Sequence, residues 1–319
     1  MSKRNYASKR VTYVLMVILV FLWGLDFIAA KAAVDVTAPI TLIFLKYFPA
    51  AIILVVIKLI RDRVFHLRKK DVLYFVACAI FGDVLYYASE YSAFTYLPVS
   101  IVSLVLAFVP AISIVTEIFV YKRLPSVKIV LGIVVSAIGV GLIVGADYRE
   151  LLSGKLAGYL FIFAALISWN IYNFITERLS DNYDPVELSM YQIIGAVIFS
   201  APYALTHMPA AADMMSVKFI LAISFLAIVS GVIGFIVYVN SVAVIGVTPS
   251  ALFSNMMPVT TTFFGWLMLG ERITALQLVG GAVVIAAGAA VIYLKDKNPG
   301  RYFGKKAHIS ENEGGANGN

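Results

Sequence analysis

The second half of this 319-residue chain repeats the first. Trp23 and Pro39 recur 146 residues later as Trp169 and Pro185, and Pro110 and Gly132 recur 148 residues later as Pro258 and Gly280. The difference between the two offsets needs only a slightly longer loop. Each half breaks into apolar runs long enough to cross about 30 Å of hydrocarbon. These fall at 11–33, 39–60, 72–93, 99–120 and 127–144, and again at 157–175, 186–205, 219–244, 249–269 and 275–294. Five spans per half is an odd number, so the second half enters the bilayer upside down. Inverted repeats of this kind let one midplane site open to either face in turn. The expected fold is an all-α membrane protein: ten transmembrane helices as two inverted five-helix repeats around a central cavity. Residues 1–10 would be a cytoplasmic tail, 11–146 the first repeat, 147–156 a linker, 157–294 the second repeat and 295–319 a disordered cytoplasmic tail.

Composition supports the membrane assignment. Hydrophobic residues make up 61% of the chain, charged residues 13%, and mean hydropathy is +0.91, outside the range of soluble domains. The runs are continuously apolar, where barrel strands would be short and would alternate apolar with polar. The first run contains Asp26 and Lys31 and no small-residue cleavage site, so it reads as a retained helix and not a signal peptide. A single cysteine, Cys78, excludes an internal disulfide and leaves no cysteine-based metal site. The net charge of +7 is explained by where the charges lie. Nineteen Lys and Arg flank one face: the N-terminal tail, 58–70, 122–128, Arg178 and 295–306. Only Arg149, Lys155, Lys218 and Arg272 flank the other. The positive-inside rule then places both termini in the cytoplasm of a multi-pass protein of the cell inner membrane. The basic surplus is a topology signal and a contact with anionic lipid headgroups, not a nucleic-acid surface.

Ionisable groups at membrane depth cost several kcal/mol unless paired or wetted, so each is a functional candidate. Asp26, Lys46, Asp83 and Glu90 lie deep, whereas Lys31, Glu117 and Glu177 lie near span ends, where an interfacial role is favoured. In the third span Asp83, Tyr86, Tyr87 and Glu90 share one helical face. That acidic, aromatic stripe would receive an amine through charge and cation–π contact. Its alternative is a buried ion pair, with Glu90 neutralised by Lys46 or Lys31. Asn170 and Asn173 share a face of the sixth span and supply donors and acceptors, which suits a zwitterion or, equally, interhelical bonding. Tyr238, Ser254 and Asn255 add polar groups in the eighth and ninth spans. Trp23 and Trp169 sit about mid-helix, favouring cavity lining over an interfacial belt. Pro110 and Pro258 free backbone carbonyls at repeat-related positions, favouring a hinge or cavity role over a passive kink. Rows of small residues in the fifth span (Gly132, Ser136, Gly139, Gly145) and the tenth (Gly280, Gly281, Ala287, Gly288) fit packing within the monomer or a homodimer face.

A Trp in the first helix of each repeat, a Pro opening the next, the Pro in each fourth helix and the closing run from Pro258 to Gly270-Glu271-Arg272 together resemble the EamA-type branch of the drug/metabolite transporter superfamily. The resemblance covers residues 11–294. It implies a ten-helix basket whose cavity is lined mainly by the first, third, fourth, sixth, eighth and ninth helices. It also implies export of amino acids, other metabolites or small drugs. The first repeat departs from the pattern, with Tyr121-Lys122-Arg123-Leu124 where the second has Leu269-Gly270-Glu271-Arg272. Lys46 stands where a basic residue, often Arg, is usual, and Gln192 holds the equivalent place in the second repeat. The halves are therefore chemically distinct.

The chain contains no Walker motif, so it does not drive transport with ATP itself. It has no His/Asp cluster that would mark an intramembrane enzyme and no Gly-rich selectivity loop. The expectation is a secondary carrier, not an enzyme, that needs no cofactor and moves a small polar metabolite, most plausibly an amino acid. Efflux of cationic drugs or nucleosides is the alternative. Substrate contacts are assigned to Trp23, Asp26, Tyr86, Glu90, Trp169, Asn170, Asn173, Tyr238 and Asn255, and coupling or gating to Lys46, Glu90, Pro110 and Pro258. Glu90 and Asp26 are the first proton-carrier candidates.

Overall fold

A computed structural model describes residues 7–97, 102, 105–121, 126–144, 156–269 and 274–297. Among these, the helices are α1 (Lys9–Val34), α2 (Pro39–Arg61), α3 (Lys69–Ala93), α4 (Val109–Tyr121), α5 (Val127–Val144), α6 (Leu156–Leu179), α7 (Pro185–Thr206), α8 (Val217–Ile245), α9 (247–269) and α10 (Ala275–Lys297). A single-turn helix, Ala211–Met214, precedes α8. Six of them, α1, α2, α3, α6, α7 and α8, are by themselves long and apolar enough to cross a bilayer, and α4, α5 and α10 contain shorter apolar runs. The protein is a multi-pass membrane protein. The first residues of the fourth expected span, the 147–155 linker, Lys122 to Leu124, Gly270-Glu271-Arg272 and the 298–319 tail lie outside the described residues.

Local chemistry sets the helix starts. Pro39 and Pro185 each open a helix at a position where the missing N–H costs nothing. Ser8 caps α1, and the Asp184 carboxylate accepts from the N–H groups of Val186 at 3.0 Å and Glu187 at 3.1 Å to cap α7. Between α8 and α9 the chain turns at Gly246 with φ 90°, a left-handed geometry in which a β-carbon would be strained.

Helix pairing repeats between the halves. α2 packs on α7 and α5 on α10. The contact of α3 with α6 is matched by that of α8 with α1, and the contact of α4 with α6 by that of α9 with α1. Departures from α-helical geometry repeat too. α3 is π-helical over Ala79–Leu85 and α8 over Leu226–Gly234. In α9 a 3₁₀ stretch, Ser254–Met256, interrupts the helix just before Pro258, and Ala107 and Phe108 form a turn just before Pro110. Proline withdraws the donor that would complete a regular turn there.

The small-residue rows of α5 and α10 face each other within the chain. A β-carbon on Gly139 would lie 3.0 Å from the Gly280 carbonyl oxygen, and one on Gly132 would meet Val291. Gly82, inside the α3 π-helix, lies against the Tyr172 ring so closely that a β-carbon would overlap it. Gly82→Ala is expected to cost about 1–3 kcal/mol by overpacking. Gly288→Ala, where a β-carbon meets nothing within 4 Å, should leave the thermal unfolding midpoint nearly unchanged. Equal midpoints for the two variants would contradict the close approach.

Candidate functional site

Five of the nine residues assigned to substrate contact meet at one small cavity: Trp23 and Asp26 from α1, Tyr86 and Glu90 from α3, and Trp169 from α6. Phe27 and Tyr87 complete those walls. The rest of the lining comes from the two proline-associated breaks, Leu106 and Val109 on one side and Ser254 and Met257 on the other. Both pairs are related by the 148-residue offset of Pro110 and Pro258. The prolines themselves stand beside the lining residues and shape the backbone that presents them.

The floor is aromatic. The Trp169 ring lies 4.7 Å from Tyr86, 4.9 Å from Tyr172 and 5.1 Å from Tyr238, centroid to centroid, and Trp23 lies 5.3 Å from the same Tyr238. Tyr238 therefore joins the two repeat-related tryptophans from behind. Two carboxylates stand above this floor: Asp26 accepts a hydrogen bond from Ser230 of α8, and Glu90 accepts one from the Tyr86 hydroxyl at 3.2 Å. The tyrosine–glutamate pair follows from their i, i+4 spacing on α3.

Lys46 is buried behind this wall. Its ammonium sits 3.5 Å from the centroid of the Tyr87 ring and donates to the Tyr91 hydroxyl at 3.3 Å. It interacts electrostatically with Asp26, Glu90 and Asp83 without a direct ion pair, and Lys31 pairs instead with Asp35 at 3.0 Å. Glu90 is therefore not locked to a lysine, and its carboxylate is available to the cavity.

The amides serve other ends. Asn170 is tied to α4, accepting from the Ser113 hydroxyl at 3.0 Å and donating to Thr116 at 2.5 Å. Asn255 donates to Ser136 of α5 at 2.7 Å. Both fasten helices together, and their neighbours Trp169 and Ser254 face the cavity. Asn173 is buried beside Tyr238 with its amide atoms and the Tyr238 hydroxyl outside hydrogen-bond geometry.

A second charged cluster joins α2 to α7, away from the cavity. Lys58, whose side chain is 1% exposed, lies 3.1 Å from Asp62 and 3.7 Å from both Asp184 and Glu187. Arg61 reaches Asp184 at 2.5 Å, and the His66 N–H donates to Glu187 at 2.7 Å. Next to it Arg68 pairs with Asp71 at 2.5 Å, and Tyr183 donates to the same carboxylate at 2.9 Å. Sequence reading counted these basic residues only as a topology signal. The pattern Asp184-x-x-Glu187 at a helix start, opposite Lys58-x-x-Arg61 at a helix end, could have suggested the pairing.

The model of the EamA-like transporter family matches this chain twice, over residues 10–145 and 156–294. The chain belongs to the EamA-like transporter family. Each match covers one of the two halves that share landmarks and helix pairings. Among EamA relatives, the Bacillus subtilis (strain 168) transporter YyaM is 24% identical over 282 residues, 86% of this chain and 90% of its own length. A probable terminal-alkyne amino-acid exporter of Streptantibioticus cattleyicolor is 24% identical over 223 residues, 69% of this chain and 72% of its own. A crystal structure superposes with a TM-score of 0.73 at 17% identity, covering 89% of this chain and 99% of that one, which extends the likeness to the fold.

Proposed function

We propose that this EamA-family protein is a secondary carrier that exports a small amine-bearing metabolite, most plausibly an amino acid, by alternating access. The observation that carries the reading is the cavity itself, where two carboxylates with no lysine in direct contact stand over an aromatic floor between repeat-related helices. A carboxylate draws the ammonium, ring faces hold it by cation–π attraction, and the Ser254 hydroxyl is offered to a carboxylate at the other end. The name of the S. cattleyicolor relative, an amino-acid exporter, favours the same substrate class.

In this reading ten helices form two inverted five-helix repeats, 11–146 and 157–294, in the cell inner membrane with both termini cytoplasmic. The α2–α7 charge cluster then lies on the cytoplasmic side and ties the two repeats together there. The paired breaks at Pro110 and Pro258 supply the points about which the walls rearrange. Asp26, Glu90 and Asp83 share the Lys46 ammonium, an imbalance that suits exchange of protons for a cationic group. No enzymatic step is assigned.

The test is counterflow of a labelled amino-acid panel in proteoliposomes, with and without a pH gradient. Saturable exchange of one class is expected. Neutralising Glu90 as Glu90→Gln should weaken half-saturation about 10- to 100-fold, the cost of losing a charged hydrogen bond to the amine. Organic cations exchanging while the whole panel fails would move the assignment to drug efflux. Unsaturable flux would remove the carrier reading altogether.

A further inference from the structure

Asp83 is the deep acid that the cavity leaves unexplained. It is fully buried, it does not line the cavity, and neither carboxylate oxygen has a hydrogen-bond partner. Leaving a carboxyl in that condition is costly. It sits inside the π-helical stretch of α3, a deformation that concentrates at functional sites because it re-aims side chains and loosens backbone pairing.

The repeat shows what a satisfied version looks like. Shifted by 147 residues, the offset that carries Ala79 onto Leu226 at the start of the second π-helix, Asp83 becomes Ser230. Ser230 donates to Asp26 of α1. In the first half the corresponding partner on α6 is Tyr172, but its hydroxyl is already given to Gln192 at 3.1 Å, and Gln192 in turn donates to Thr176 at 2.9 Å. Asp83 is thereby denied the partner that its counterpart enjoys.

The groups that face it are known from every packed element. α2 supplies Lys46 and Tyr47, whose hydroxyl lies towards Asp83 but outside hydrogen-bond geometry; α6 supplies Tyr172; α3 itself supplies Cys78 and Tyr87; α7 brings the neutral amide of Gln192 against Tyr172 and Cys78. Lys46 is the cation of this set, and it also interacts with Asp26 and Glu90 in the cavity wall. A metal ion would need several oxygen ligands around it and would be repelled by that ammonium. A proton needs one oxygen.

We propose that Asp83 is the proton-loading carboxyl of this carrier, and that Lys46 relays its state to the substrate cavity. With Asp83 ionised, Lys46 is drawn towards it, and Asp26 and Glu90 are left to bind an ammonium. When Asp83 takes a proton from the aqueous phase, Lys46 is released to neutralise the cavity acids and the bound cation is expelled. Loss of that proton on the opposite side restores the first state, so one proton moves against one cationic group. The exchange rests on the carrier reading above; proton binding at Asp83 does not.

The experiment is a pH titration of the full-length protein in liposomes, followed by the infrared C=O stretch of protonated carboxyls, on wild type, Asp83→Asn, Asp83→Glu and Glu90→Gln. A titrating component is expected in wild type, lost in Asp83→Asn, displaced in frequency in Asp83→Glu and retained in Glu90→Gln. A titration identical in wild type and Asp83→Asn overturns the assignment. If Asp83→Asn does not insert, Asp83→Glu decides, since an undisplaced component overturns it equally. The readout needs no substrate, so an absent counterflow with an intact Asp83 component would count against the carrier and not against the proton site.

Discussion

Replacing Trp169 with alanine is expected to cost about 3–5 kcal/mol, the range for removing a large aromatic from a packed core, and to abolish substrate counterflow. Trp169 is 5% exposed and makes ring contacts with Tyr86, Tyr172 and Tyr238, which come from three different helices. Its removal unties the floor of the cavity and leaves Tyr86 free to turn, and with it the hydroxyl that orients Glu90. Trp169→Phe keeps a ring in the stack and should retain measurable exchange. The repeat-related Trp23→Ala should be milder in stability, because among the described residues Trp23 has one aromatic neighbour, Tyr238. Thermal unfolding in detergent and counterflow in proteoliposomes measure the two effects separately. A larger stability loss for Trp23→Ala than for Trp169→Ala would mean that the stack is not what holds the floor.

The second large effect is expected at the α2–α7 charge cluster. Asp184→Asn combined with Glu187→Gln leaves the buried Lys58 ammonium with Asp62 alone, and breaking a buried pair in this way costs about 3–5 kcal/mol. Adding Lys58→Met to the double variant removes the uncompensated charge and should recover most of the loss. A triple variant no more stable than the double would show that the cost lies in the lost pairing of Arg61 with Asp184, since asparagine keeps the oxygen that caps α7. Acid provides an independent approach. Burial works against ionisation of Asp62, but hydrogen bonds from Lys58 and Arg61 outweigh it and hold its pKa at about 2. The folded value lies below the ordinary aspartate value of about 3.9. The stabilisation is therefore fully present above about pH 4 and is lost as pH falls from there towards 2. Loosening of the α2–α7 contact in that window, followed by cross-linking between the two helices, is the expected signature.

Helix positions were legible because apolar run length and proline placement act locally. The expected 39–60 and 186–205 spans lie within helices that begin at Pro39 and Pro185. The deep acids were legible because a charge inside an apolar run is conspicuous. Hydropathy, however, does not record the direction in which a side chain points. Asn170 and Trp169 are adjacent in sequence, yet Trp169 faces the cavity and Asn170 faces α4. Asn255 and Ser254 divide in the same way. Ser230 was invisible for another reason: a serine in an apolar helix carries no signal until the repeat offset places it opposite Asp83. The π-helical stretches were unreadable too, since no glycine or proline pattern demands them.

The interlocked pairing of α1 has a consequence for how the chain is made. α1 packs on α8 and α9, and its N-terminal end is tied to α8 through the Ala7 N–H and Thr12, both bonded to Asn240. More than two hundred residues separate these partners. At roughly 5–20 residues per second of synthesis, α1 waits on the order of 10–40 s in the bilayer before α8 emerges. Throughout that interval Asp26 has no Ser230 to bond. The newborn first repeat is thus an unfinished object whose acidic groups depend on the insertion machinery or on early neighbours such as α2 for shelter. Truncations that end before α8 should consequently be recognised by membrane quality control, not persist as half-sized carriers.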